Sequence, residues 1–258
     1  MFRNLESNEI QISFIIPVKY DLRILECTQK LKEYINIKAI AAEIIVCGKL
    51  EQHMIPKDIW FIEVDPPDKG RDIRTGALVS RGDIIVISDA DLPIPFTDLD
   101  KLISAAKKSN VALGNRYLPT SSIKDNRSFT RSFLSHAFRI IVQNLFKLKG
   151  FDTQCGIKAL NKSSKAKLFE YQLVQGLAYD VELSLRAKLL GFTIAQIPIH
   201  LQPSSNSTIS IWHAIFSISK EVLTLFYNFR LKNHIEWFRV FKRRTQAFNK
   251  GLIFPSKN

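Results

Sequence analysis

The chain has 258 residues, of which 46% are hydrophobic and 24% are charged, and its formal net charge at pH 7 is +13. A chain of this length buries roughly 70–75% of its unfolded surface on folding, and so ordinary a composition excludes an intrinsically disordered protein. The positive charge indicates an anionic partner. Nucleic acid is not expected as that partner, because the sequence has no helix-turn-helix, zinc-finger or RNA-recognition pattern.

The cysteines and the first residues indicate a cytoplasmic protein. Cys27, Cys47 and Cys155 lie far apart in the sequence, which is typical of a reduced, intracellular chain without a disulfide framework. The first ten residues mix acidic and basic side chains and lack the apolar segment of a signal peptide. Because no stretch reaches about 18 uninterrupted apolar residues, no transmembrane helix is expected.

The first half of the chain alternates strand and helix patterns, which predicts parallel β–α units. In chain order the predicted elements are strand 12–16, helix 23–34, strands 43–47 and 60–64, helix 71–79, strand 84–87, helix 97–108 and strand 111–113. Thr97 is expected to cap the last helix of this series. No internal repeat or low-complexity linker interrupts the pattern, so a single α/β domain is expected over residues 1–208.

Two carboxylates follow the most apolar of these strands. Ile84–Ile87 runs directly into Ser88 and then Asp89 and Asp91, which flank one small residue. In open α/β sheets, ligands bind beyond the carboxyl ends of the strands, and paired carboxylates there can hold a hard divalent cation together with phosphate oxygens. Such a pair alone is more typical of a solvated loop with a helix cap. The glycines and basic residues of segment 68–83 favour a nucleotide diphosphate site.

From Phe129 onward the apolar spacing becomes helical. Arg127 and Arg131 lie one turn apart on a face away from the apolar residues, so the two arginines mark either a binding face or an ordinary solvated face.

The tail, residues 209–258, is predicted to contain two amphipathic helices. The second combines aromatic residues with Arg239, Lys242, Arg243 and Arg244, the composition of a helix that lies in a membrane interface. The alternative is a helical pair packed on the body or on a second subunit. The two interpretations are equally weighted for the first helix, and the membrane surface is favoured for the second.

The segment 68–95 resembles the family 2 glycosyltransferases of GT-A fold, in the branch that charges polyprenyl phosphates with a hexose. The resemblance covers roughly residues 11–200. Further matching motifs are the segments 13–17, 114–117, 152–158 and 179–183, together with Arg127 and Arg131. The run Asp152-Thr153-Gln154-Cys155-Gly156 is the most specific after the strand exit, and it is more similar to the glucosyltransferases than to the mannosyltransferases.

The resemblance implies a GT-A, Rossmann-like α/β fold with a mostly parallel sheet flanked by helices and followed by C-terminal amphipathic helices. It implies an inverting transfer of a hexose, glucose from UDP-glucose, to a polyprenyl phosphate by a protein peripheral to the cytoplasmic membrane face. Nucleotide sugars, polyprenyl phosphates and anionic lipid surfaces are all polyanions, which suits the charge of the chain.

The resemblance also assigns the donor side of the site. Asp91 is the main ligand of Mg²⁺ or Mn²⁺, and Asp89 contacts the ribose or the water shell of the metal. The other donor-side residues by resemblance are Pro17, Val18, Asp21, Lys69 and Arg74.

On the acceptor side, a phosphomonoester is already anionic and needs no general base. The family pattern assigns Arg116, Arg127 and Arg131 to hold that phosphate, since planar guanidinium groups bind phosphate oxygens in pairs. Asp152 and Gln154 are expected to shape the acceptor pocket. Two further acids, Asp180 and Glu182, either orient sugar hydroxyls or stabilise the N-terminus of a helix.

The sequence departs from the family in three places. Cys47, Gly48 and Lys49 stand where relatives carry an acidic motif after the second strand, so the donor base stays open. Segment 19–21 keeps only one acid after the first strand, and segment 203–208 lacks the usual basic residue near the phosphates.

Two alternatives therefore stay open. One is transfer to a glycan hydroxyl, with Asp180 or Glu182 as the base, and the other is a non-catalytic GT-A-like binding protein. Retention of Asp89, Asp91 and the two arginines Arg116 and Arg131 favours an enzyme. The sequence does not define the oligomeric state.

Overall fold

The computed structural model describes residues 10–92, 94–123, 129–201 and 211–231. Its helices are α1 (Arg23–Lys38), α2 (Lys69–Val79), α3 (Phe96–Lys108), α4 (Phe129–Leu145), α5 (Lys162–Phe169), α6 (Tyr179–Leu189) and α7 (Ile211–Phe226), which continues into a π-helical turn, Tyr227–Leu231. Its strands are β1 (Ile12–Lys19), β2 (Ala42–Lys49), β3 (Trp60–Glu63), β4 (Ile84–Ile87), β5 (Val111–Asn115), β6 (Ser122–Ile123), β7 (Lys158–Asn161), β8 (Ile194–Pro198) and β9 (His200–Leu201).

Seven strands form one sheet in the order β3-β2-β1-β4-β7-β5-β8, and β6 pairs with β9 in a small second sheet. Within the large sheet, β7 runs antiparallel to β4 and β5, while the other pairs are parallel. The prediction of an α/β fold with a mostly parallel sheet is confirmed.

The central strands are buried on both faces because helices cover both sides of the sheet. Successive side chains of β1 alternate between the two layers: Phe14 packs on the side of α1 and α3, and Ile15 on the side of α2 and α6. Since β1 lies between β2 and β4, the strand order reverses beside it. A crevice beyond the carboxyl ends of β1 and β4 is the expected ligand position for such a sheet.

The predicted elements of the first half occur in the predicted order, with ends that coincide or differ by at most four residues. The prediction that Thr97 caps a helix is wrong. Helix α3 begins at Phe96, after Pro95, and no side chain caps it. The fixed φ of a proline already suits the entry to a helix. The buried Asp98 in the first turn accepts hydrogen bonds from the backbone N–H and the ring of His200 instead.

The described part of α7 packs on the body of the protein. Val222 and Leu225 are buried in the same apolar layer as α6, whereas Phe216, Leu223 and Tyr227 are exposed, with 77%, 65% and 52% of their surface accessible. The second predicted tail helix lies outside the described residues. None of the helices in the described ranges is long and apolar enough to cross a membrane.

Candidate functional site

The two carboxylates predicted at the strand exit lie at the end of β4, and each is paired with a cation from a different helix. The Asp89 Oδ1 atom lies 2.6 Å from Lys69 Nζ, at the start of α2. The Asp91 Oδ2 atom lies 3.2 Å from Arg23 Nη1, at the start of α1. These are charge-assisted contacts between partly exposed groups, so a ligand can reach all four.

Lys69 is held in position because the backbone at the start of α2 packs closely against the neighbouring loop and α6. The Asp68 carboxylate caps α2, and Gly70 follows because a Cβ atom there would come within 2.8 Å of the Gln175 carbonyl oxygen and of the Tyr179 side chain. Burial lowers the pKa of Lys69, but Asp89, Asp180 and Asp91 outweigh it and raise that pKa to about 12. Lys69 is therefore a fixed positive charge beside the strand exit.

Arg23 was not identified as a site residue from the sequence, although it lies two positions after the predicted donor-side residue Asp21. Its guanidinium binds the Asp21 carboxylate through two nitrogens and reaches Asp91 with the third. The hydrogen bonds from Arg23 lower the pKa of Asp21 despite its partial burial. The predicted residues Pro17 and Val18 lie beside this pair, at the carboxyl end of β1, where they align with Cys47 and Gly48 of β2.

A buried ion pair lies close to the contact between Lys69 and Asp89. Lys158 of β7 is fully buried, and its Nζ lies 2.6 Å from Asp180 Oδ1 at the start of α6. The Tyr179 ring lies between the two lysines, with Lys69 Nζ at 5.8 Å and Lys158 Nζ at 5.7 Å from its centroid, distances typical of cation–π contacts. Burial above all, and then Asp180 and Asp89, raise the pKa of the Tyr179 hydroxyl. The predicted Asp180 is thus neutralised by a lysine that sequence reasoning did not single out.

Arg116 and Asp152, both predicted for the acceptor side, bind each other. The Arg116 Nε atom lies 2.7 Å from Asp152 Oδ2, and Arg116 Nη2 lies 2.9 Å from Oδ1. Burial raises the pKa of Asp152, but hydrogen bonds and charge from Arg116 lower it below the ordinary value. The Gln154 N–H also donates to this carboxylate, at 3.3 Å. The pair therefore fixes the loop after β5. The guanidinium of Arg116 has its hydrogen-bond partner within the protein.

Two predicted residues are engaged in holding the fold. Arg74 donates to the Phe169 and Glu170 carbonyls at the end of α5, and its contact with the nucleotide phosphates stays a prediction. Glu182 is fully buried, pairs with Arg186 at 2.6 Å, and accepts from the backbone of the preceding loop. A sugar hydroxyl cannot reach a carboxylate whose oxygens are already occupied inside the core, and the expected sugar contact is corrected accordingly.

The structure does not describe the side chains of the other two arginines that were predicted to bind the acceptor phosphate. Arg127 falls outside the described residues. Arg131 lies in the first turn of α4, and its side chain is among those that the structure does not describe.

The carboxylate oxygens at the strand exit supply some, but not all, of the ligands that a hard divalent cation needs. Carboxylate oxygens are the ligands that Mg²⁺ and Mn²⁺ prefer, usually from one or two side chains completed by phosphate and water. Within the described ranges, no group of three or more His, Cys, Asp or Glu side chains converges on one point. A cation at Asp91 and Asp89 would therefore take its other ligands from a bound phosphate group and water.

Comparison with known proteins gives a family match over the segment that carries most of this site. Residues 61–169 match the sequence model of the family described as "Glycosyl transferase family 2". That segment contains both carboxylates of the strand exit, Lys69, and the Asp152 and Lys158 loop.

Curated relatives are named dolichyl-phosphate beta-glucosyltransferase. The protein from Drosophila melanogaster is 28% identical over 193 residues, which are 72% of this chain and 59% of the relative. The protein from Mus musculus is 32% identical over 164 residues, 60% of this chain and 50% of the relative. The chain thus spans between half and three fifths of the length of these relatives.

Among solved structures, glucosyl-3-phosphoglycerate synthase from Mycobacterium tuberculosis has the same fold. Its complex with Mn²⁺, UDP and phosphoglyceric acid superposes with a TM-score of 0.62 at 17% identity, covering 86% of this chain and 78% of that one. Residues 61–169 thus resemble the family 2 glycosyltransferases in sequence, and the chain shares the GT-A-like fold of the mycobacterial synthase.

Proposed function

We propose that the protein transfers glucose from UDP-glucose to a polyprenyl phosphate, with inversion, while bound to the cytoplasmic face of a membrane. The observation that carries the proposal is the strand exit of β4, where Asp89 and Asp91 each face a cation from a neighbouring helix. A site of alternating acids and cations suits a metal–diphosphate ligand, in which both signs of charge are present.

The relatives supply the chemical class of the two substrates. The curated relatives are named for a dolichyl phosphate acceptor and a glucosyl group. A complex of the mycobacterial fold neighbour contains Mn²⁺ and UDP-glucose. Both names agree with a site that binds a nucleoside diphosphate on one side and a phosphomonoester on the other.

Departure of the diphosphate builds negative charge, which the site must neutralise. A divalent cation held by Asp91, with Asp89 beside it, supplies part of that neutralisation when bound. Lys69 supplies a further positive charge, since its pKa of about 12 keeps it protonated at physiological pH. Lys69 and Arg23 contact these carboxylates, and with a metal bound there their positive charges would be available to the phosphate oxygens.

The acceptor requires orientation rather than deprotonation. We assign this part to Arg131 and Arg127, because the guanidinium of Arg116 is already occupied by Asp152. The alternative of a glycan hydroxyl acceptor needs a free general base. Asp180 is paired with Lys158 at 2.6 Å and Glu182 is buried against Arg186, so neither carboxylate is placed to take a proton from a sugar.

Association with the membrane face is supported by the outer side of α7. Phe216, Leu223 and Tyr227 are exposed together on one face of the helix, and the net charge of +13 favours an anionic surface. An apolar stripe flanked by positive charge is typical of a helix that lies on a bilayer.

The proposal is tested by a donor screen with the purified chain, Mn²⁺ or Mg²⁺ and a short polyprenyl phosphate, read by mass spectrometry. We expect a hexosyl-phosphate lipid with UDP-glucose in preference to other nucleotide sugars. Nucleotide binding without product from any donor would identify a non-catalytic binding protein instead. Glucose transfer to a free oligosaccharide but not to the lipid phosphate would move the reaction to a hydroxyl acceptor.

A further inference from the structure

Helix α7 holds the loop that leads into the site. The Glu221 carboxylate accepts hydrogen bonds from the Gly176 N–H at 2.6 Å and from the Ala178 N–H at 2.8 Å. Both groups belong to the segment just before α6. One side chain of the C-terminal helix thereby satisfies two backbone donors that would otherwise need other partners.

The same loop lies on the first turn of α2. The Gln175 carbonyl accepts from the Arg71 N–H at 2.8 Å, and the Gln172 side chain donates to the Gly70 carbonyl at 2.9 Å. These contacts surround the backbone of Lys69 on its C-terminal side. The loop then ends at Tyr179, whose ring lies beside the Lys69 ammonium group.

The contact between α7 and the loop leaves no spare room. A Cβ atom added to Gly176 would lie 2.7 Å from Glu221 Oε1 and 3.0 Å from its carboxyl carbon, so the position requires glycine as long as the carboxylate stays in place. The close approach is between the Gly176 backbone and the carboxylate end of Glu221, so a larger residue at position 176 would displace that carboxylate.

We propose that Glu221 is a positioning residue of the donor site: through the 172–178 loop it sets the placement of Lys69 and Tyr179 and so the affinity for a nucleoside diphosphate. The inference rests on the proposed function, because it takes Lys69 to be a phosphate ligand. Glu221 itself contacts no substrate. Its effect reaches the ligand only through the loop and the first turn of α2.

The carboxylate form is essential to this role. Each oxygen of a carboxylate accepts from one N–H, whereas a glutamine offers one acceptor and turns an NH₂ group toward the second donor. Glu221→Gln therefore keeps the size of the side chain but loses one hydrogen bond and opposes two donors. The neighbouring Lys220 is exposed on the same helix, so Lys220→Gln is a matched control.

The test is calorimetric titration of UDP into the full-length chain in the presence of Mn²⁺, with thermal melting to establish that each variant is folded. We expect Glu221→Gln to weaken UDP binding by roughly five- to tenfold and Lys220→Gln to leave it unchanged. In a Lys69→Met background, Glu221→Gln should add little further loss, because the two changes act on the same contact. Gly176→Ala, which displaces the carboxylate from the other side, should reproduce the effect.

Folded Glu221→Gln and Gly176→Ala variants that bind UDP as tightly as the wild type would overturn the inference and leave Glu221 a purely structural residue. Full additivity with Lys69→Met would do the same. A wild-type chain that binds no nucleotide, with or without Mn²⁺, would instead overturn the proposed function and the inference with it.

Discussion

At the scale of single residues, the site is organised by charge neutralisation. Asp89 and Asp91 are separated by one alanine, and two carboxylates so close to each other repel, which costs free energy. Lys69 and Arg23 remove that cost before any ligand arrives. In the proposed function, the same two cations would also bind the oxygens of the diphosphate.

Replacing Asp91 by asparagine should lower transfer by roughly 100- to 1000-fold, because the metal loses its principal anionic ligand and the leaving group its neutralisation. Thermal melting should show an intact fold. Asp83→Asn is the matched control, since that side chain is 75% exposed and pairs only loosely with Lys162. Full activity of Asp91→Asn, or of the wild type in excess chelator, would contradict the assignment.

Asp72 gives the protein a testable pH dependence. Its side chain is buried, and burial raises its pKa from the ordinary value of 3.8 to about 7. Between those pH values the folded chain keeps a proton that the unfolded chain has released. The free energy of unfolding therefore falls as the pH rises from about 4 to about 7 and is level above that.

Asp72→Asn should remove this dependence and stabilise the protein at pH 8 by up to roughly 4 kcal/mol. Urea unfolding at pH 5 and pH 8 measures the effect, with Asp83→Asn as the control. An unchanged slope between the two pH values would assign the dependence to other groups.

The acidic strand exit could be predicted because it is local: an apolar strand, two acids and a glycine-rich helix start lie within one short segment. Of the cations around it, Lys69 belongs to the same segment and could be predicted, whereas Arg23 and Lys158 could not. Arg23 reaches Asp91 across 68 positions of sequence, and Lys158 belongs to a four-residue antiparallel strand without a marked apolar pattern. The motif predicts Arg74 as a donor-side residue, but its partners Phe169 and Glu170 lie 95 and 96 positions away in the sequence. The partner of Glu182, Arg186, lies four residues on in the same helix, a spacing that the sequence does display.

At the scale of elements, the site is a meeting of helix starts at one edge of the sheet. Helices α1, α2 and α6 begin with Arg23, Lys69 and Tyr179, and all three starts face the carboxyl ends of β1 and β4. Their order follows from parallel β–α units, in which each helix begins near the same edge. The inserted antiparallel strand β7 brings Lys158 to this edge, while the loop held by Glu221 connects the starts of α2 and α6.

Helix α4 carries the acceptor prediction. If Arg131 holds the lipid phosphate, Arg131→Ala should raise the KM for polyprenyl phosphate by roughly tenfold or more while UDP affinity, followed by calorimetry, stays unchanged. The control is Arg139→Ala, which removes an arginine from the same helix whose guanidinium stacks on the Tyr117 ring at 3.8 Å. Weakened UDP binding with normal acceptor kinetics would move Arg131 to the donor side.

Over the whole molecule, positive charge is concentrated in the tail, and exposed apolar side chains lie on the neighbouring helix α7. Residues 232–258 contain seven Lys or Arg residues and one acidic residue, a net charge of +6 within the total of +13. The described face of α7 adds Phe216 and Leu223 as exposed apolar groups. The combination favours a surface that is both anionic and apolar, as the cytoplasmic leaflet is.

Binding to vesicles should therefore require anionic lipid and weaken with salt, since each basic residue near the surface contributes roughly 1 kcal/mol and the attraction is screened within about 8 Å at physiological ionic strength. Flotation with neutral and anionic vesicles tests this on the full chain and on a chain ending at Leu231. The shortened chain should keep its fold by thermal melting but lose most of its salt-sensitive binding. Leu223→Ser, on the exposed face of α7, should weaken the remainder. Equal flotation with neutral vesicles, or none with either kind, would make the tail a packing or oligomerisation element instead.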